Sequence, residues 1–216
     1  MTKIASKTAL FLLSIGLTMP LNAAETSPKY FETIKTIEGI ENGEPLRVYY
    51  FFNSNCPSCK KLSPLVDAWE AKMDKSIVLE SIPYAPYDEW KWASKAYLVA
   101  KEVAPHLKRS EIEKAQEEAN ILSATDILKA ADIVTYATSI SRGKIMTTLS
   151  SQKMNNAIAD ADSIAEKYGV HGVPSIVVVG NQEAYRVSPE FGLTKEGIIN
   201  VSGALVAYQY SKQTQE

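Results

Sequence analysis

RVYYFFNSNCPSCKKLSP, residues 47–64, joins an extended run to a helical one and sets a cysteine pair at the junction. Residues 47–52 are rich in aromatic and β-branched side chains, a composition that suits a strand buried on both faces. After them, Leu62, Leu65, Val66, Trp69 and Met73 recur at spacings that put them on one face of a helix of about four turns. Pro64 lies inside that helix, where its missing amide donor predicts a kink. A strand feeding straight into a helix sets Cys56 at the N-cap and Pro57 at the first helical position, where a lost N–H costs nothing. Unpaired amides and the positive end of the helix dipole then face the Cys56 sulfur. A thiolate there is stabilised, its pKa falls, and it becomes a good leaving group in disulfide exchange. Cys59, one turn on, is expected to lie deeper and to serve as the resolving sulfur.

Cys56 and Cys59 are the only cysteines in the chain, and three chemistries suit such a pair. A structural disulfide here would close a ring of about four residues and remove only roughly 2 kcal/mol of unfolded-chain entropy, less than a long-range brace. A closed zinc site wants four ligands, and the only histidines, His106 and His171, form no second ligand pair in the sequence. A two-thiolate copper(I) site stays open. A reversible dithiol–disulfide centre uses both the spacing and the helix start, and it is the preferred reading; it calls for no cofactor and no metal.

Outward from this stretch, YFETIKTI at 30–37 reads as an edge strand and residues 77–82 as a third strand ending at Pro83. From Pro86 to Lys167 the strand signal gives way to an all-helical block rich in Ala, Glu and Lys. Within it, Ser110 with Glu113 and Ser123 with Asp126 are candidate capping boxes, and Gly143 is expected to separate two helices. The charged run at 108–118 reads as a solvated helix face. SIVVV at 175–179 and EAYRV at 183–187 flank Gly180 and Asn181 as an antiparallel hairpin, and a last helix is expected from its cap Thr194 to about Tyr210. The chain is thus α/β, with one domain expected from 24–85 and 168–216 and a helical domain inserted at 86–167.

A chain of 216 residues can bury a sizeable core, and its formal charge of −2, with signs mixed along the sequence, leaves no basic stripe and excludes nucleic acid as a partner. At the start, Lys3 and Lys7 precede an apolar run from Ala9 to Leu17, and small residues follow at Ala23 and Ala24. This reads as a secretory signal peptide over 1–23, cleaved near Ala23 or Ala24. The apolar run is about half of the ~20 residues that a membrane span needs. Export implies an oxidising compartment, in which a cysteine pair can persist as a disulfide.

CPSC after a buried strand, with Val173-Pro174 opening a later one, resembles the thioredoxin superfamily. The helical block between the third strand and that proline resembles the DsbA branch, and GVHGVPSIVVVGNQEAYRVSP at 169–189, leading into an amphipathic C-terminal helix, is similar to that branch in order and spacing. The resemblance covers essentially the whole mature chain and implies a thioredoxin fold with an inserted all-helical domain. It implies that Cys56 is the exposed nucleophile, that Cys59 is its buried partner, and that Pro57 and Ser58 tune the redox poise. It further implies a cis bond before Pro174, with Val173 offering backbone groups to an extended substrate. The activity implied is that of a monomeric periplasmic oxidase that introduces disulfides into exported proteins and is reoxidised by a quinone-linked membrane partner of the DsbB type. A reductase or isomerase of the same fold, a copper-handling protein and a binding module with inert cysteines are the alternatives.

Two positions depart from the family pattern. Ser58 stands where histidine is common, and Tyr50 stands about where a buried acid is often kept; RVYYFFNSN contains no acid at all. His171, three residues before Pro174, is placed either to replace the missing histidine in part or simply to pack.

Overall fold

The computed structural model describes residues 29–35, 44–181 and 183–213, so the leader expected at 1–23 lies outside the described residues. The strands are β1 (Glu32–Lys35), β2 (Leu46–Phe52), β3 (Ile77–Pro83), β4 (Ser175–Val179) and β5 (Glu183–Val187), in one sheet of order β1-β5-β4-β2-β3. β2 pairs in parallel with β3 and antiparallel with β4, so its backbone is bonded on both sides. Every β2 residue except Arg47 is buried, as the aromatic run predicts.

Alternation along the strand sends Tyr50 and Phe52 to one face and Tyr49 and Phe51 to the other. The Phe52 ring meets Tyr97 edge-on at 4.8 Å, and the Tyr49 ring lies 5.4 Å from Tyr168. Full burial of a ring of this kind contributes about 1.5–3 kcal/mol, which fixes β2 at the centre of the molecule. At one edge β1 pairs antiparallel with β5, and Arg186 of β5 donates from Nε to Glu32 of β1 at 3.2 Å. The expected hairpin is β4 and β5, paired antiparallel.

The helix after the cysteine motif is α1 (Pro57–Glu70), which continues through Pro64 as a single helix. Between β3 and β4 the chain inserts α2 (Lys91–Val103), α3 (Arg109–Glu118), α4 (Ile127–Thr138), α5 (Arg142–Leu149) and α6 (Gln152–Lys167), and after β5 it ends in α7 (Lys195–Gln213). The Gly197 N–H donates to Thr194 Oγ1 at 3.0 Å, the cap expected there. α7 turns Ile198, Ser202, Leu205, Val206 and Gln209 inward. Gln209 packs closely on the β4–β5 turn, and a Cβ at Gly180 would require its terminal amide to shift.

Three helix-end expectations are corrected. α3 is capped by Glu111, whose carboxylate accepts the Lys108 N–H at 2.6 Å, while Ser110 lies inside the first turn and Glu113 faces inward. α4 is capped by Asp126 itself, which accepts the Lys129 N–H at 2.9 Å; Ser123 takes no part in that bond. Gly143 sits inside α5, and the preceding helix ends instead at Ser139, which takes the left-handed conformation at φ 59°. The charged run at 108–118 is not a purely solvated face either. Arg109, Glu113 and Gln116 of α3 are buried, because one side of that helix lies against α1.

Candidate active site

Cys56 is the N-cap of α1 and Pro57 its first residue, the arrangement that the strand-to-helix junction dictates. The Cys59 N–H donates to Cys56 Sγ at 3.4 Å, and Cys56 Sγ donates to the Val173 carbonyl at 3.6 Å. Both thiols are free. Hydrogen bonding from the Cys59 thiol, reinforced by the backbone amides of Cys59 and Ser58 and opposed by burial, lowers the Cys56 pKa from 9.0 to about 7. Burial and the same contact push Cys59 well above 9.0. The pair is therefore split into a sulfur that ionises near neutral pH and one that holds its proton. Cys56 is more covered than an exposed nucleophile: it keeps 6% exposure against 0% for Cys59, since the Val173 backbone closes over it.

The loop that delivers Cys56 is fastened to the helical insertion by two buried asparagines. Asn53 Nδ2 donates to Ser94 Oγ at 2.9 Å and to the Tyr84 carbonyl at 3.1 Å, while its Oδ1 accepts the Asn55 N–H at 3.0 Å. Asn55 reaches the α3–α4 loop, bonding both backbone groups of Ala124 and accepting from Gln116 Nε2 at 3.3 Å. Neither asparagine was singled out from the sequence. Two amide side chains flanking Ser54 immediately before a cysteine were the available signal.

Beyond Cys59 the seam between α1 and α3 carries buried polar groups beside its apolar ones: α3 buries Arg109, Glu113 and Gln116 along with Ile112 and Ala115. Arg109 donates to Asp67 Oδ1 at 2.6 Å and to Ser81 Oγ, and its guanidinium lies 4.8 Å from the Tyr50 ring centroid. One turn along each helix, the Ser63 hydroxyl lies beside both the Glu113 carboxyl and the Tyr50 phenol. All three are buried, and none of the Tyr50 hydroxyl, the Ser63 hydroxyl or the two Glu113 oxygens is held in a well-formed hydrogen bond. Burial raises the Glu113 pKa from 4.5 to about 7 against the lowering pull of Ser63 and Arg109, and burial likewise raises Tyr50. An acid is thus present behind the cysteine pair although the strand before the motif carries none, and it arrives from the insertion.

Pro57 and Ser58 are exposed at the head of α1, and the contribution of Ser58 to the Cys56 sulfur is its backbone amide. The Val173-Pro174 bond is cis, as the resemblance implied, and its carbonyl faces Cys56. His171 is exposed, and it is absent from the groups that shift Cys56.

The family model described as Thioredoxin matches residues 37–191. Among curated proteins the chain is similar to a thiol:disulfide interchange protein, DsbA, of Burkholderia cepacia, at 24% identity over 99% of this chain and 100% of that one. Among solved structures it is similar to DsbA of Pseudomonas aeruginosa, with a TM-score of 0.70 at 18% identity, covering 85% of this chain and 95% of that one. Xylella fastidiosa DsbA gives a TM-score of 0.68 at 20% identity, over 83% of this chain and 96% of that one. The two solved structures share the fold of this chain over most of its length.

Proposed function

The chain belongs to the thioredoxin family and is a DsbA-like thiol:disulfide oxidoreductase with Cys56 and Cys59 as its redox pair, and from that premise we propose that it is a dithiol oxidase which introduces disulfides into exported proteins of the periplasm. The observation that supports this direction is the N-cap position of Cys56, with its sulfur accepting the Cys59 amide. Stabilising a thiolate stabilises the reduced pair, and a pair whose reduced form is stabilised passes its disulfide to others.

In the forward reaction a substrate thiolate attacks Cys56 of the Cys56–Cys59 disulfide. The bond between the two cysteines breaks, and Cys59 leaves with the electron pair and takes up a proton. A second substrate thiolate then attacks the substrate sulfur of the mixed disulfide, forming the substrate disulfide and releasing Cys56 as a thiolate. Two electrons have passed from substrate to enzyme, and the sulfurs carry the whole balance. Val173 and Pro174 hold the substrate backbone across Cys56, and Pro57 with Ser58 sets the potential. A quinone-linked membrane oxidase of the DsbB type takes the electrons onward, and the protein works as a monomer. Among the described residues no helix is long and apolar enough to cross a membrane.

The test is the redox potential of the purified protein in glutathione buffers, together with oxidation of a reduced two-cysteine peptide. A potential above that of the glutathione couple, with stoichiometric peptide oxidation, supports the oxidase. A potential well below it assigns the protein to reduction or isomerisation instead. Cys56→Ser is expected to abolish the reaction, and Cys59→Ser to accumulate mixed disulfides through Cys56.

A further inference from the structure

Asn55, the residue before Cys56, holds the α3–α4 loop by both backbone groups of Ala124. Gln116 holds the same loop from α3: its carbonyl accepts the Ile121 N–H at 3.0 Å, and its Nε2 donates to the Leu122 carbonyl at 3.5 Å and to Asn55 Oδ1 at 3.3 Å. Asn120 turns the chain into the loop in the left-handed conformation, at φ 55°. Ala124 is wholly buried, and the Leu122 carbonyl is bonded inward. The Leu122 side chain is left outside at 90% exposure, against 57% for Tyr87, the next most exposed large apolar residue among those described. A lone exposed leucine is ordinary on a protein surface. This one stands on backbone fastened to the residue before the nucleophile, within an uncharged run at 119–125 that follows the charged helix α3. A fastened loop cannot fold its leucine back onto the surface, so the apolar area stays open to a chain that passes Cys56.

We propose that Leu122 is a specificity-determining residue, which takes an apolar side chain of the polypeptide that exchanges disulfides at Cys56, a few residues along from the reacting cysteine. The proposal rests on thiol–disulfide exchange with polypeptide chains but not on its direction. Reach sets the spacing. Asn55 is next to Cys56 and Leu122 is two residues from Ala124, so bond lengths keep Leu122 within about 20 Å of Cys56. An extended chain covers roughly 3.3–3.6 Å per residue, so a side chain up to about six residues from the bonded cysteine reaches the loop. The side chain taken is apolar because residues 119–125 offer it no charge, and because covering Leu122 removes apolar surface from water. Contact at Leu122 holds the chain while the sulfurs meet, and it thereby speeds the exchange. Leu122 touches no reacting atom, and its role is to select the chain.

The experiment mixes the disulfide form of the full protein with an excess of reduced peptides that hold one cysteine, quenches in acid, and measures by mass the initial rate at which peptide is joined to Cys56. The peptides are otherwise polar and carry one leucine, moved through the positions two to six residues from the cysteine on either side. Each has a counterpart with asparagine in place of that leucine. For wild type, the best-placed leucine is expected to outpace its asparagine counterpart by roughly tenfold, the low end of what an apolar group contributes in a closed pocket, since this contact is on an open surface. Leu122→Ser is expected to bring that ratio to within about twofold of unity, and Leu122→Met to keep it. Tyr136→Ser, which removes an exposed apolar side chain near the far end of α4, should show the wild-type ratio. A wild-type protein that prefers leucine at none of these positions overturns the proposal without any variant. A Leu122→Ser ratio equal to that of wild type overturns it, and so does an equal loss in Tyr136→Ser. None of these rates depends on the redox potential, so the direction of exchange, and with it the oxidase reading, stands or falls separately.

Discussion

Asn55 pairs with the backbone of Ala124 at both ends of its amide: Nδ2 donates to the Ala124 carbonyl at 3.1 Å and Oδ1 accepts the Ala124 N–H at 2.8 Å. The residue before the nucleophile is therefore bound to the insertion as one strand is bound to another. Asn55→Ala leaves two buried backbone groups unpaired, each worth about 1–3 kcal/mol, so a loss of at least about 2 kcal/mol is expected in urea unfolding. A loss below about 0.5 kcal/mol would mean that the loop is held by other contacts.

Arg109 and Asp67 test whether the seam stabilises or only orders the fold. Arg109→Leu strands a buried carboxylate and is expected to cost about 3–5 kcal/mol, whereas Arg109→Leu with Asp67→Leu removes both charges and should recover much of that loss. A double-mutant cycle measures the coupling. Strict additivity of the two single losses would contradict the contact at 2.6 Å.

Glu113 and Cys56 give the stability–pH curve of the dithiol form two limbs of opposite sign. Burial raises Glu113 from 4.5 to about 7, so between these values the folded state binds more protons than the unfolded one and stability falls as pH rises. The full fall is about 3 kcal/mol at 1.36 kcal/mol per unit, and Glu113→Gln should remove it. Cys56 is depressed from 9.0 to about 7, so its contribution is complete above 9.0 and is lost as pH falls through about 7. The rise between these values should appear in the dithiol form and vanish in the disulfide form. Chemical denaturation of both forms at pH 5, 7 and 9 separates the two limbs.

Ser58→His adds a cationic donor beside the Cys56 sulfur. Hydrogen bonds to charged groups are worth about 1.5–3 kcal/mol against roughly 0.5–1.5 for neutral ones. With about 30 mV per 1.4 kcal/mol for a two-electron couple, the protein should become more oxidising by tens of millivolts. Matched glutathione titrations of both proteins, with the Cys56 thiolate followed by absorbance, check it. An unchanged potential removes Ser58 from the groups that set the poise.

The sheet and the cysteine site were legible because their signals are local. Residues 47–52 are apolar enough to mark a central strand, and the CPSC spacing fixes which sulfur caps the helix. The seam was not legible, because RSEIEKAQEE is as polar as any solvated helix. Its inner face is marked only by Ile112 and Ala115, and Arg109, Glu113 and Gln116 stand within one turn of Ile112 on that side. Periodicity names the face; it does not say that a charge on it finds Asp67 on a helix 42 residues earlier. The helix ends were misplaced for a related reason. Several residues near each start could cap it, and the choice among them depends on where the first turn meets the rest of the fold.

The α1–α3 seam also limits how this molecule can be rebuilt from parts. Asn55, Ser63 and Asp67 belong to the segment that carries the cysteines, while Gln116, Glu113 and Arg109 meet them from the insertion. A chimera that grafts a relative's helical block onto this redox segment inherits Asp67 without its guanidinium and Asn55 without its amide partner, unless the graft brings matching side chains at all three rungs. The insertion is therefore not a detachable cap over a finished redox domain, and any exchange of modules has to carry the seam across with it.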